Sequence, residues 1–220
     1  MPSALVLSHL HLASDLGQLE PWFDRHGFTV QRVYREEKPQ IPNADLLVVL
    51  GSPNSVATGF CETPAQAEIA MVGEWISRDR PYLGICFGSQ VLARALGGSV
   101  RRMPDKHRSY APMTLNNNAP TTLTGSWALW HEDAITAPAD SIVFAAVPHA
   151  DTVFTHGSAW GVQPHIEFTP EAVARLGTLT KIAPEILAPL YQAMKDDEPG
   201  LAARAGLLLD TFWANANSLV

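Results

Sequence analysis

The sequence contains little cysteine, few cationic side chains and no long apolar run. Its 220 residues include two cysteines, at unrelated positions that suggest neither a disulfide framework nor a zinc site. There are 15 lysines and arginines against 22 aspartates and glutamates, which gives a formal net charge of −7. This charge excludes a nucleic-acid-binding module that relies on bulk positive charge.

The amino terminus and the hydropathy pattern bear on where the protein works. No segment approaches the ~18 consecutive apolar residues of a membrane span, and Met1-Pro2-Ser3 lacks the basic start of a signal peptide. We therefore expect a cytoplasmic protein that does not bind membranes. Hydrophobic residues make up 46% and charged residues 17% of the chain, which is typical of a globular protein. At ~100 to 200 residues per domain, one domain is expected over residues 1–220.

The first half alternates short apolar runs with helix-like stretches, which is typical of βαβ units and a parallel sheet covered on both faces. The predicted strands are Ala4–Leu7, Thr29–Tyr34, Leu46–Leu50 and Tyr82–Ile85. A helix is predicted over Pro64–Arg80, because Thr63 and Gln66 have the spacing of a capping box. The next helix is expected to begin near Gly88 and to end at Gly97-Gly98.

After these glycines the pattern changes to short strands separated by turn residues. The predicted strands are Met113–Leu115, Ile142–Ala146, Val153–Thr155 and Trp160–Gln163. The basic stretch Arg101–Arg108, which includes His107, is interpreted as a solvated loop, with a gate or partner surface at a cleft rim as the alternative. Helices return from Pro170, with breaks near Pro184 and Pro199. The predicted fold is α/β and flavodoxin-like, with three layers, a mainly parallel central sheet, an antiparallel extension and C-terminal helices.

The most informative segment is a cysteine flanked by glycines where a predicted strand meets a predicted helix. Gly84-Ile85-Cys86-Phe87-Gly88 has the form G-x-C-x-G, a nucleophile elbow with cysteine in the serine position. The glycines relieve crowding at a sharp turn, and the helix N-terminus favours the thiolate form of the sulfur. The alternative is that Cys86 is a small buried apolar residue. Cys61 has no such surroundings and is expected to be structural or exposed.

A His-x-Glu pair, His165 and Glu167, follows a predicted strand. Residues two apart in an extended segment point to one face, so the two side chains can lie side by side. Glu167 can then orient one ring nitrogen of His165 while the other takes a proton from a thiol. By itself the pair is weak evidence for a catalytic site, and it becomes informative because the sequence also contains Cys86 at a nucleophile elbow.

A turn, Gly51-Ser52-Pro53, follows the buried strand that ends at Leu50. A turn at the carboxyl end of a sheet strand can direct backbone N–H groups into a cleft beside a nucleophile. Taken by itself, the turn is more simply interpreted as an ordinary loop.

Taken together and in this order, the three segments resemble the class I, or triad, glutamine amidotransferases, most closely the amidotransferase domain of GMP synthases. The resemblance runs from Leu46 to Glu167. It is strongest in Gly84–Gly98, where the family has G-I-C-x-G-x-Q and a helix that ends in L-G-G. The second match is Gly161–Glu167, against the G-V-Q-F-H-P-E of the family.

The resemblance implies a role for each matched residue. Cys86 would be the nucleophile, His165 the base and Glu167 its orienting partner. The turn at Ser52, where the family has G-G-P, would supply an N–H to an oxyanion hole shared with the N–H that follows the cysteine. The residues expected to bind substrate or oxyanion are Gly51, Ser52, Phe87, Gln90, Trp130 and His131, the last two because Trp130–Asp133 loosely matches the S-H-G-D of the family.

Four positions depart from the family pattern, namely Ser52, Ser89, Pro164 and Ile166. None of them removes a reacting group, because a serine still offers a backbone N–H and isoleucine is a good strand former. The departures leave the substrate open, and they favour a chain that acts alone over one that works as part of a synthetase.

The sequence thus predicts a cysteine hydrolase that releases ammonia from glutamine through a γ-glutamyl thioester. A γ-glutamyl peptidase or γ-glutamyl amine hydrolase with the same triad stays open, and so does a non-catalytic binding module of the same fold. The chemistry needs neither cofactor nor metal. The sequence has no G-x-x-x-x-G-K phosphate loop, so an ATP-activated acceptor would require a separate synthetase subunit.

Overall fold

A mixed sheet forms the centre of the fold in the computed structural model, which describes residues 1–37 and 41–218. Within those residues the strands are β1 Ser3–Ser8, β2 Thr29–Tyr34, β3 Leu46–Val49, β4 Tyr82–Ile85, β5 Ser99–Pro112, β6 Thr114–Leu115, β7 Ser126–Thr136, β8 Ile142–Val147, β9 Ala150–His156 and β10 Ala159–Val162. The α-helices of the same residues are α1 Leu19–Arg25, α2 Thr63–Ile76, α3 Phe87–Ala95, α4 Pro170–Leu179, α5 Pro184–Asp196 and α6 Glu198–Ser218.

The strand order divides the sheet into a parallel half and an antiparallel half. The order is β2-β1-β3-β4-β10-β9-β7-β5, with β8 paired to β9 and β6 to β8. Neighbours from β2 to β10 run parallel, and the other pairs run antiparallel. The α/β fold class, with its parallel centre and antiparallel extension, is confirmed.

Alternate residues of the parallel strands face two different cores. In β1, Ala4 and Val6 pack in the core that contains Trp22 of α1, while Leu5 and Leu7 pack in the core beneath α2 and α3. All four β1 side chains are fully buried, as expected for a strand covered on both faces. The sheet is therefore the middle of three layers, and its parallel strands direct their carboxyl ends toward one edge.

The helix predicted over Pro64–Arg80 is α2, but both of its ends differ from the prediction. It ends at Ile76, and Asp79 already has a left-handed φ of 53°. Thr63 is the first helical residue rather than the cap, and the side chain of Gln66 donates to a backbone carbonyl that precedes the helix. The predicted capping box was wrong, because the Gln66 side chain bonds to the carbonyl of Cys61 and not to the backbone N–H of Thr63.

The basic stretch Arg101–Arg108 is not a loop, and this prediction was wrong. It lies within β5, which pairs with β7 along most of its length and has an irregular register between Arg102 and His107. β7 was not predicted from the sequence, because its buried apolar residues are interrupted by charged side chains such as Glu132. Strand pairing, rather than local propensity, extends both segments.

The C-terminal helices begin at or next to the prolines that were predicted to separate them. α5 begins at Pro184, and α6 begins at Glu198, immediately before Pro199, so both predicted breaks are confirmed. Proline suits these first-turn positions because its missing N–H would have no helical partner there. Among the described residues, none of the helices combines the length and the apolar character that crossing a bilayer requires.

Candidate active site

Cys86 occupies the sharp turn between β4 and α3. Its backbone has a φ of 52° and a ψ of −105°, a conformation that costs a non-glycine residue on the order of 1–3 kcal/mol. A Cβ on Gly84 would overlap the carbonyl of Gly88, and a Cβ on Gly88 would overlap the carbonyl of Val49. Both glycines of the G-x-C-x-G pattern are therefore required by close backbone approach.

Hydrogen bonds hold the cysteine turn from both sides. The N–H of Cys86 donates to the carbonyl of Val162 in β10 at 2.9 Å. The carbonyl of Cys86 accepts from the N–H groups of Ser89 and Gln90 at 3.0 and 3.2 Å and from the hydroxyl of Ser89 at 2.6 Å. The sulfur is thereby fixed at the N-terminus of α3, where the helix dipole favours a negative charge.

His165 and Glu167 lie in the turn that follows β10, and each is 4% exposed. Nδ1 of His165 lies 2.7 Å from Oε1 of Glu167, and its ring stacks on Phe168 with 3.9 Å between centroids. The predicted extended conformation was wrong, because β10 ends at Val162. The turn nevertheless places the two side chains in contact.

The electrostatic surroundings of His165 favour its protonated form. Burial acts to lower the pKa of this imidazole, but the Glu167 carboxylate and the Cys86 sulfur, both hydrogen-bonded to the ring, raise its pKa well above the ordinary value. A proton held on this ring, between the Glu167 carboxylate and the Cys86 sulfur, is available for transfer to a leaving group.

The backbone carbonyl of Trp130 in β7 connects the cysteine with the histidine. It accepts from Sγ of Cys86 at 3.6 Å and lies 3.4 Å from Nε2 of His165. The sulfur and this ring nitrogen therefore lie around one acceptor, with the other nitrogen occupied by Glu167. Trp130 contributes to the site through its backbone as well as its ring.

Gly51 packs directly against the reacting groups. A Cβ at this position would lie 3.1 Å from Cε1 of His165 and 3.8 Å from Cβ of Cys86. A larger residue would therefore press on the imidazole. The glycine allows the backbone that leads to Ser52 to run beside the sulfur.

A buried arginine, Arg35, fixes the orientation of this turn. Its guanidinium donates to the carbonyls of Leu50 and Gly51 at 3.0 and 3.2 Å and to the Glu68 carboxylate at 2.7 Å. Because C=O and N–H point in opposite directions across a trans peptide, holding the Gly51 carbonyl directs the N–H of Ser52 away from Arg35. Arg35 was not predicted as a site residue, since no motif near it in the chain indicates a site.

The Ser52 side chain is held separately from its backbone. Nε2 of His9 lies 2.9 Å from Oγ of Ser52, and Nδ1 of His9 lies 2.6 Å from the carboxylate of Glu36. The serine in place of the family glycine therefore has a hydrogen-bonding partner of its own.

A cleft of about 230 Å³ opens above the sulfur. Of the residues expected to bind substrate or oxyanion, those that line this cleft are Gly51, Ser52, Gln90, Trp130 and His131. The ring of Phe87 instead lies beneath the guanidinium of Arg35, 5.0 Å from its centroid, so only its backbone is available to the site. Gln90 is buried, and its Nε2 donates to Oε1 of Gln163 at 3.1 Å.

The cleft wall also contains charged residues that the sequence analysis did not select. Lys106 and Arg108 of β5 and Glu132 of β7 line it. Glu132 pairs with Lys106 at 3.1 Å, whereas Arg108 forms no ion pair with any residue in the described part of the chain. The basic character of Arg101–Arg108 was the sequence signal that could have identified Lys106 and Arg108. The interpretation of this stretch as a solvated loop meant that the signal was not used.

The sequence matches the family model described as Glutamine amidotransferase class-I over residues 18–175, which is more than half of the chain. The chain therefore belongs to the class I glutamine amidotransferase family. This agrees with the resemblance found in the sequence motifs.

Individual relatives support the same assignment. The Salmonella typhimurium protein YfeJ, described as glutamine amidotransferase-like, is 31% identical over 175 residues, which cover 70% of this chain and 72% of YfeJ. One subunit of the glutamine-hydrolysing GMP synthase of Halobacterium salinarum is 30% identical over 155 residues, covering 66% of this chain and 78% of that relative. A solved glutamine amidotransferase structure from Thermotoga maritima matches 96% of this chain and 97% of its own with a TM-score of 0.81 and 22% identity, which shows a shared fold.

Proposed function

We propose that this protein hydrolyses the side-chain amide of glutamine through a γ-glutamyl thioester on Cys86. The observation that carries the proposal is the strained turn that fixes the sulfur at a helix N-terminus, beside an imidazole oriented by Glu167. A binding module has no need of a nucleophile, a base and an orienting carboxylate around one cleft.

The reaction follows from this arrangement in two stages. The thiolate of Cys86 adds to the amide carbon, the proton on His165 passes to the nitrogen, and the C–N bond breaks to release ammonia. Water then gives a proton to His165 and adds to the thioester carbonyl. The C–S bond breaks, glutamate leaves, and the thiolate–imidazolium pair returns.

Two backbone N–H groups would stabilise the oxyanion of each stage. Phe87 is the first residue of α3, so its N–H has no carbonyl acceptor within the helix. The N–H of Ser52 is directed away from the carbonyl-binding side of Arg35. Each such donor is typically worth about 3–4 kcal/mol of transition-state stabilisation.

The size and charge of the cleft suit a free amino acid. Its volume of about 230 Å³ is below the ~300–1,000 Å³ of pockets that hold drug-sized ligands. Arg108 supplies a cation to its wall, and the guanidinium of Arg108 lies 5.1 Å from the ring centroid of Trp130. We assign Arg108 to the α-carboxylate of glutamine, because an arginine fork matches a carboxylate.

The departures from the family pattern favour a chain that hydrolyses its substrate without a partner. The alternative is a separate synthetase subunit that takes up the ammonia, as the name of the Halobacterium relative indicates for that protein. Assaying the purified full chain alone distinguishes the two. Ammonia release from glutamine supports autonomy, whereas turnover that appears only with a co-purifying ATP-using protein establishes the subunit role.

A substrate panel with matched cysteine variants tests the proposal itself. Glutamine and a series of γ-glutamyl amines are supplied, and released ammonia or amine is measured. Cys86→Ala should lower turnover by at least ~10⁴-fold, and Cys61→Ala, the control, should not. Undiminished ammonia release by Cys86→Ala would contradict the proposal, and exclusive turnover of γ-glutamyl amines would identify a γ-glutamyl amine hydrolase.

A further inference from the structure

Three histidines that are far apart in the sequence meet at the edge of the cleft. His107 of β5 and His131 of β7 are direct partners in the antiparallel ladder, and His149 lies in the turn between β8 and β9. Their ring centroids are 4.9 to 5.6 Å apart. One ring nitrogen of each lies within 4.8 Å of the other two.

Two ring nitrogens of this histidine cluster have no hydrogen-bonding partner in the described part of the protein. Nε2 of His131 and Nε2 of His149 are buried and have no hydrogen-bonding partner among the described residues. Nδ1 of His131 lies 2.8 Å from the carbonyl of Asp133, so Nδ1 carries the proton and Nε2 presents a lone pair. A backbone carbonyl that orients a ring in this way is the usual support of a metal-binding histidine.

In His107 the nitrogen with a protein partner is Nε2. It lies 2.9 Å from the hydroxyl of Ser109, which leaves Nδ1 as the ring nitrogen that could bind a metal ion. A buried polar atom without a partner is costly. Two such nitrogens, on His131 and His149, beside the ring of His107 are therefore better explained by a ligand than by packing.

Burial favours the neutral form of all three rings. Burial, reinforced by the neighbouring histidines and opposed by the Asp133 carbonyl, lowers the pKa of His131 to about 4. Burial also lowers the pKa values of His107 and His149, with a further contribution from Arg101 for the latter. Neutral imidazole is the form that binds a metal ion.

We propose that His107, His131 and His149 form a binding site for a divalent transition-metal ion, with zinc as the best match. Three neutral nitrogen ligands and one open position are a coordination set that zinc adopts in proteins. Zn–N distances of about 2.0–2.1 Å place tetrahedral ligands roughly 3.3 Å apart. The nitrogens therefore need to approach by up to about 1.5 Å, which rotation of the partly exposed His107 and His149 can provide.

The site differs from the proposed catalytic centre, although one residue connects them. His131 lines the cleft above Cys86, so a bound ion would form part of the cleft wall. The proposal does not depend on glutamine hydrolysis, because it rests on imidazole geometry alone. Zinc binding can therefore succeed or fail independently of the assay for ammonia.

Metal titration of the full chain in a Cys86→Ser background tests the site. This background removes the thiolate as a competing ligand. Calorimetry with Zn²⁺ should give one equivalent, and His107→Gln and His149→Gln should each weaken binding by ~10-fold or more. His11→Gln is the control, because His11 is exposed and belongs to the other closely spaced pair in the sequence, His9 and His11.

Cobalt spectroscopy makes the result independent of any folding defect in the variants. Co²⁺ bound to the Cys86→Ser chain should show the intense visible bands of tetrahedral coordination, and Zn²⁺ should displace it. Absence of both zinc binding and these bands would overturn the proposal. Zinc affinity unchanged in His107→Gln and His149→Gln, or lost in His11→Gln, would do so as well.

Discussion

The parallel and antiparallel halves of the sheet meet at one cleft and supply different groups to it. The parallel half presents the turns of Gly51, Cys86 and His165, each just beyond the carboxyl end of a strand. The antiparallel half presents side chains of β5 and β7, among them Arg108. Parallel strands have their carboxyl ends at the same edge of the sheet, so residues from distant segments of the chain lie close together there. The long antiparallel strands β5 and β7 instead form one side of the cleft.

Under the proposed function, this difference separates chemistry from recognition. Changes in the parallel half should lower kcat, and changes in the antiparallel half should mainly raise KM, because they affect binding of the unreacting end of the substrate. Four substitutions can break or sharpen this comparison.

Glu167→Gln is expected to have the largest effect on turnover. The amide keeps the shape of the carboxylate but cannot stabilise the imidazolium, so kcat should fall by about 10²- to 10⁴-fold with residual activity. Because Glu167 raises the pKa of His165, the variant should lose the protonated imidazole at lower pH. The alkaline limb of the kcat/KM profile should move down in pH, and wild-type turnover would show that another group orients His165.

Gly88→Ala tests whether close packing, rather than chemistry, dictates the elbow. The added Cβ would overlap the carbonyl of Val49, so the free energy of unfolding should fall by about 3 kcal/mol or more. Gly73→Ala in α2 is the matched control, since no heavy atom approaches its Cβ position. It should stabilise the chain by about 0.5–1 kcal/mol.

Denaturant unfolding followed by circular dichroism measures both alanine variants. Equal stability of the two proteins would mean that the backbone around Cys86 relaxes at little cost. The glycines of the elbow would then be required for a reason other than close backbone approach.

The same division explains how much could be predicted from the sequence. β1, β3, β4 and the elbow were predictable, because continuous apolar runs and the glycines at 84 and 88 act over a few residues. β2 was predictable from the β-branched and aromatic residues of Thr29–Tyr34. The contact between His165 and Glu167 followed from their spacing, although the extended conformation assumed for them was wrong.

In the antiparallel half, β6, β8 and β9 were predicted, but the long strands β5 and β7 could not be predicted in the same way. β7 carries charged residues in its middle, and its pairing partner β5 is basic, so neither shows the alternation of a half-buried strand. The histidine cluster brings together His107, His131 and His149 only through strand pairing and a turn. Arg35 likewise acts through carbonyls that are distant in sequence.

Arg35→Met tests the turn of the parallel half that supplies an oxyanion donor. Methionine fills the space but cannot hold the carbonyls of Leu50 and Gly51, so the N–H of Ser52 should lose its fixed direction. A displaced donor should lower kcat by about 10- to 100-fold with little change in KM.

The partner of Arg35 requires its own control, because the substitution leaves Glu68 buried without its cation. Arg35→Met combined with Glu68→Gln removes that charge. If the combined variant regains stability but not kcat, Arg35 acts as a positioning residue. Recovery of kcat with stability would assign it a structural role only.

Arg108→Gln has the smallest expected effect and tests the antiparallel half most directly. Arg108 lines the cleft, and its Nε has no hydrogen-bonding partner within the described residues. A charge-assisted hydrogen bond to the substrate carboxylate is worth about 1.5–3 kcal/mol, so KM for glutamine should rise by about 10-fold or more with kcat nearly unchanged. Arg78→Gln is the control, because Arg78 is an exposed residue in the turn after α2 and pairs with Glu74. A glutamine analogue that lacks the α-carboxylate should bind the wild type and Arg108→Gln equally. A fall in kcat with an unchanged KM would instead place Arg108 among the reacting groups and end the division between the two halves.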